Sequence, residues 1–150
     1  MSVSMTIESM IATHPFWKGM DQTKLRTLAS CARLTNFPAG TYLARRGGPA
    51  NAFFLIQSGH VAIEFERQLS QILTVGRGEV VGWSWIVAPF SWQFDARAVV
   101  AVEAMALEAA CLRSQCEADH EFGYQLLTRL LAVVTERIAA ARLQLLDLYR

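Results

Sequence analysis

Hydrophobic positions change period twice along the chain, and the three stretches so marked predict helix, then strand, then helix. In the first, Asp21 stands where a helix N-cap is needed. Leu25, Leu28, Ala29 and Ala32 then recur at i, i+3, i+4 and i+7. Residues 14–36 are therefore expected to form N-terminal helices. Phe37-Pro38-Ala39-Gly40 ends the stretch, because proline has no amide donor and glycine permits a sharp turn.

From Thr41 to about Ala109 the period is two. Val61-Ala62-Ile63-Glu64-Phe65 alternates large apolar residues with small or charged ones, as a half-buried strand does. Ser58-Gly59, between that run and Phe53-Phe54-Leu55-Ile56, predicts a hairpin. Gly40, Gly47-Gly48, Gly76, Gly78 and Gly82 add turn signals at short intervals. Many short strands over 37–110 predict a small antiparallel barrel or sandwich rather than alternating β-α units.

After Cys111 the helical period returns for 111–150. Leu127, Leu131, Val134, Ile138, Ala141, Leu145 and Leu148 step alternately by four and three, a heptad seam. A shorter stripe, Leu126, Leu130 and Val133, covers an adjoining face. One helix with two apolar faces needs two partners. The short stripe is expected to dock on the β domain and the seam to meet the same helix of a second subunit, giving a homodimer. Packing of both faces on the chain's own domain is the alternative, though so long a helix would overhang it. Residues 1–150 thus read as a single domain, mainly β with flanking helices.

Three stretches carry a family resemblance. Pro38-Ala39-Gly40-Thr41-Tyr42-Leu43 with Gly47, Phe53 to Val61, and Gly78-Glu79-Val80-Val81-Gly82 resemble the cyclic-nucleotide-binding domain, most closely the effector domain of Crp/Fnr regulators. The resemblance covers roughly His14 to Tyr149. It implies a double-stranded β-helix (a β-roll or jelly roll), a long C-terminal dimerisation helix, and a ligand site at the phosphate-binding cassette. In family members that bind cyclic AMP or cyclic GMP, a cassette glutamate accepts from the ribose hydroxyl. Backbone amides and an arginine hold the cyclic phosphate.

This cassette departs from that pattern. Trp83 stands at the expected glutamate, Phe94 at the expected arginine and Asp95 at the expected Ser/Thr. An acidic Asp95 would repel a phosphate, so standard cyclic-nucleotide binding is not expected and the cofactor is left unknown. Trp83, Trp85, Phe90, Trp92 and Phe94 supply aromatic surface instead. Either the rings line a pocket for a flat or apolar ligand, or they fill it and leave a ligand-free scaffold. The candidate ligand residues are Gly82, Trp83, Ser84, Trp85, Phe94, Asp95 and Arg97. An extended Trp83-Ser84-Trp85 would put both indoles on one face, and Asp95 and Arg97 fall on one strand face where they can pair. A third possibility is non-standard cyclic-nucleotide binding through Arg97 or the loop arginines Arg45, Arg46 and Arg77. Gly82–Trp85, Trp92–Ala98 and Cys116–Asp119 are also similar to a group of short bacterial single-domain proteins, a likeness that brings no ligand with it.

Composition narrows the classes further. The chain has 150 residues, 53% of them hydrophobic, which is enough for a packed core and excludes intrinsic disorder. Fourteen Lys/Arg against thirteen Asp/Glu leave a formal charge of +1, no electrostatic argument for nucleic acid. If Arg150 is the natural end, no recognition helix follows the heptads and DNA binding is not expected. Apolar runs such as Leu130–Val134 are far shorter than the roughly 20 residues of a spanning helix. Met1–Thr13 lacks a secretory pattern, so the expected location is cytoplasmic.

Cys31, Cys111 and Cys116 match no zinc or disulfide spacing and read as reduced thiols. His14, expected at the surface or as a cap, His60 and His120 show no catalytic spacing. The expectation is a regulatory, ligand-sensing domain rather than an enzyme. Its signal would pass by repacking of the roll on the C-terminal helix. A constitutive dimeric interaction scaffold is the alternative.

Overall fold

The computed structural model describes residues 6–64 and 73–148, with Leu148 placed as backbone only. Phe65 of the expected strand, the Leu148 side chain of the seam, Tyr149 and Arg150 lie outside the described residues.

Two short helices open the fold, α1 (Ile7–Thr13) and α2 (Gln22–Ser30), with a 3-10 turn at Pro15–Trp17 between them. Asp21 caps α2 as expected, its Oδ1 accepting from the Lys24 amide at 3.0 Å. Leu25 and Leu28 are buried. Ala32 is not on that helix. It begins strand β1 (Ala32–Phe37), so the helical expectation for 32–36 is corrected. The cause is non-local. Strand β8 (Val102–Glu108) needs a second neighbour, and Ala32 to Phe37 pair antiparallel with Leu107 to Val102. Ladder bonds of that kind outweigh a weak local helical pattern.

The other strands are β2 (Tyr42–Ala44), β3 (Ala52–Ser58), β4 (His60–Glu64), β5 (Leu73–Gly76), β6 (Val80–Val81) and β7 (Asp95–Ala98). Among the described residues they form two four-stranded antiparallel sheets, in the orders β1-β8-β3-β6 and β2-β7-β4-β5. The predicted β3–β4 hairpin is present, and its turn requires glycine. Gly59 has φ +93°, and a Cβ there would run into the Ala101 carbonyl and Val102. The inward faces of the two sheets meet in a core that includes Phe53, Leu55, Val61, Val75, Ala96 and Met105.

After β8 the chain turns into α3 (Ala109–Ala118) and then α4 (His120–Leu148). At 29 residues α4 is about 44 Å long. Its two apolar stripes behave differently. Leu126 and Leu130 are buried and Val133 is half-buried, so the short stripe docks on the domain as expected. Leu127, Leu131, Ile138 and Leu145 are exposed on this chain.

The cysteines require a correction. Cys31 and Cys111 are joined in a disulfide, with Cα atoms 5.7 Å apart, and Cys116 is the free thiol. Eighty residues separate the bonded pair, so no local spacing announces it. Pairing of β1 with β8 brings them together, and the Glu108 amide donates to the Cys31 carbonyl. The reading of all three cysteines as reduced thiols therefore holds for Cys116 alone. No helix among the described residues is long and apolar enough to cross a membrane.

Candidate functional site at the joint between roll and helix

The cassette runs from β6 to β7 without a helix of its own. At its entry Gly82 adopts φ +93°, and the Trp92 indole lies so close that any Cβ would collide with it. A turn follows at Trp83–Trp85, where the Ile86 amide reaches the Trp83 carbonyl at 3.3 Å. The turn separates the two indoles expected on one face. Trp85 enters the core against Phe53, ring centres 5.4 Å apart, and its Nε1 donates to the Gly82 carbonyl. Trp83 stays half-buried and meets Phe94 at 6.4 Å.

The rest of the loop is held from outside. The Arg113 Nη1 donates to the Trp85 carbonyl at 2.6 Å, and the guanidinium lies 4.2 Å from the Phe90 ring centre. Trp92 and Phe94 are buried and in contact, and Trp92 stacks on Phe54. Most of the aromatic cluster is thus core.

What remains open is a cavity of about 130 Å³ between roll and helix. Ile63 and Leu73 line it from the sheet, Trp83 and Phe94 from the cassette, and Val134, Arg137, Ile138 and Ala141 from α4. Of the candidate residues, Trp83 and Phe94 reach this cavity and Gly82 shapes its entry. Ser84 and Trp85 are buried elsewhere. Asp95 and Arg97 do not pair with each other. Asp95 accepts from the Arg46 amide at 2.7 Å and lies 3.7 Å from the Arg45 Nε. Arg97 instead pairs across the sheet with Glu64 at 3.2 Å.

Arg137 is the residue that sequence reasoning missed. Its Nη2 donates to the Val80 carbonyl and its guanidinium stands 5.4 Å from the Trp83 ring centre. Burial pulls its pKa down to about 10, with Glu79 and Glu136 opposing, so it stays charged at neutral pH. A signal was present. Leu126, Leu130, Val133 and Arg137 step by four, three and four, which puts this one charge on the stripe that docks against the domain. On its other side Arg137 borders a groove of about 530 Å³ that also includes Pro15, Phe16, Glu79 and Glu136.

His14 is buried rather than at the surface, though it does cap: its Nδ1 accepts from the Phe16 amide at 3.2 Å. Burial lowers its pKa, with backbone groups of Ile56 and Glu79 opposing. The Cys116 thiol is pushed up by burial and by Asp119 and Glu117. Among the described residues no three His, Cys, Asp or Glu side chains are grouped to hold a metal ion.

The model of the cyclic nucleotide-binding domain matches residues 34–119. The chain belongs to the cyclic nucleotide-binding domain family. It is a regulatory, ligand-binding domain family and not a catalytic one.

Solved cyclic nucleotide-binding domains share the architecture. A candidate cyclic nucleotide-binding protein from Geobacter metallireducens superposes with a TM-score of 0.81 at 22% identity, covering 89% of this chain and 99% of that one. A cyclic nucleotide-binding domain from Methylobacillus flagellatus gives 0.78 at 20% identity, over 95% and 82% of the two chains. The sensor domain of the transcriptional regulator DNR from Pseudomonas aeruginosa gives 0.68 at 20% identity, over 88% and 91%. At these identities the likeness shows the fold. No curated protein sequence matches the chain. Within the domain's cassette, Trp83 and Phe94 both line the cavity.

Proposed function

We propose that this domain is a ligand-responsive regulatory module that works as a homodimer through α4. The observation that carries this is the composition of the cavity wall. Among the described residues, half of its lining comes from the roll and cassette and half from α4. A molecule bound there touches both bodies, so binding favours whichever roll-to-helix arrangement fits it better. Val134, Ile138 and Ala141 belong to both the cavity wall and the heptad seam, so a shift at the joint reaches the subunit contact directly.

The ligand is not a cyclic nucleotide held in the family's usual way. Phe94 offers no charge to a phosphate, Arg97 is committed to Glu64, and Asp95 faces Arg45 and the Arg46 amide. The dimer is supported by the exposed Leu127, Leu131, Ile138 and Leu145, four large apolar side chains on one helix face.

The burial of Trp85, Trp92 and Phe94 favours a second arrangement, in which the rings have filled the pocket and the dimer is a constitutive scaffold. Thermal melting with small-molecule libraries separates the two. A ligand that binds only the folded state raises the melting temperature with concentration, whereas a filled pocket shows no such response.

A further inference from the structure

We propose that the joint binds a small monocyclic aromatic acid, its ring in the cavity that Trp83 and Phe94 help to line and its carboxylate on Arg137. This rests on the joint being a ligand site and goes further by naming the ligand's chemistry. Size comes first. A dry cavity of about 150 Å³ accommodates benzene. At about 130 Å³ this one matches a single ring and is small for a purine riboside. The walls agree, since Ile63, Leu73, Val134 and Ile138 are apolar and Trp83 and Phe94 supply ring faces.

Charge decides between a neutral ring and an acid. Among the described residues Arg137 is the one charged side chain in the wall. Among the described residues no carboxylate lies within ion-pair distance of it, and its hydrogen bond goes to the neutral Val80 carbonyl. Glu79 and Glu136 line the neighbouring groove instead of the cavity. Glu79 is further engaged, its Oε1 accepting from the Gly76 amide at 3.0 Å. A guanidinium carries five donors in a planar fork that fits a carboxylate. The bond to Val80 and the approach to the Trp83 ring hold the fork beside the cavity and leave donors over. A partly desolvated cation with no carboxylate in direct contact among the described residues gains from a ligand that brings one.

The test is calorimetry and thermal melting of the full chain with four probes: benzoate, benzamide, acetate and cyclic AMP. Benzoate is expected to bind at least about tenfold more tightly than benzamide, the difference between a charge-assisted and a neutral hydrogen bond. Acetate, lacking the ring, is expected to be far weaker. Arg137→Gln removes the preference for benzoate over benzamide and Arg137→Lys restores part of it. Melting of the unliganded variants confirms that they fold, and Arg137→Lys keeps the test alive if Arg137→Gln does not.

Equal binding of benzoate and benzamide overturns the acid and leaves the joint as a site for a neutral ligand. Cyclic AMP binding that depends on Arg137 overturns the ligand class in the same way. An unchanged benzoate affinity in a folded Arg137→Gln variant overturns the location. Failure of every probe, with a co-purified molecule seen by native mass spectrometry, overturns the class while the joint stands. Failure of every probe on a clean protein overturns both.

Discussion

The Arg137 guanidinium stands 5.4 Å from the centre of the Trp83 ring, so a charge from α4 rests on an aromatic residue of the cassette. Helix and cassette are therefore coupled with the cavity between them. A double-mutant cycle of Trp83→Leu and Arg137→Gln, read by denaturant unfolding, is expected to give a coupling of about 1 kcal/mol. Additive effects would show that the two side chains are only neighbours.

Leu130 and Leu131 are consecutive yet face apart, 3% and 63% exposed. Leu130→Ala is expected to cost about 2–5 kcal/mol of stability, because it opens a hole where α4 meets the domain. Leu131→Glu combined with Ile138→Glu is expected to leave the fold intact and turn the dimer into a monomer. Sedimentation and circular dichroism check both. A double-Glu variant that stays dimeric would place the subunit contact elsewhere.

Local patterns predicted local features well and missed what depends on distant pairing. The β3–β4 hairpin and the docked stripe of Leu126, Leu130 and Val133 were legible because each is set by period and by a turn residue such as Gly59. Strand β1 was not, since its six residues become extended only by pairing with β8 some seventy positions away. The same pairing hid the Cys31–Cys111 bond. In the cassette, the run of aromatic residues was legible as a cluster, and Trp85, Trp92 and Phe94 are buried. That Trp85 would turn inward and Trp83 toward α4 depends on the turn between them, for which an alternating pattern gives no sign.

The Cys31–Cys111 bond closes a loop of 80 residues spanning the roll. Closing so long a loop restricts the unfolded chain, and reduction is expected to cost about 2–4 kcal/mol of stability. Thiol titration in denaturant is expected to find only Cys116 before reduction and all three cysteines after it. Three reactive thiols in unreduced protein would contradict the pairing. A Cys31→Ala, Cys111→Ala variant should melt at the same temperature with or without reductant.

His14 gives the domain a pH dependence whose sign follows from its burial. Its folded pKa lies below the ordinary 6.5, so the unfolded chain takes up the proton first as pH falls. The stabilisation is complete above about 6.5 and is lost as pH drops through that value toward the lower folded pKa. His14→Asn keeps an acceptor for the Phe16 amide and removes the titration. Between pH 7 and pH 5 the melting temperature of the parent is expected to fall further than that of the variant. Parallel falls would assign the effect to other groups.

Native mass spectrometry of protein purified without added nucleotide tests the central claim most directly. A dimer that carries a small non-nucleotide molecule, released when Trp83 and Arg137 are both replaced, is the result expected of a ligand-responsive joint. A monomer, or a clean dimer that no small molecule stabilises on melting, would contradict it.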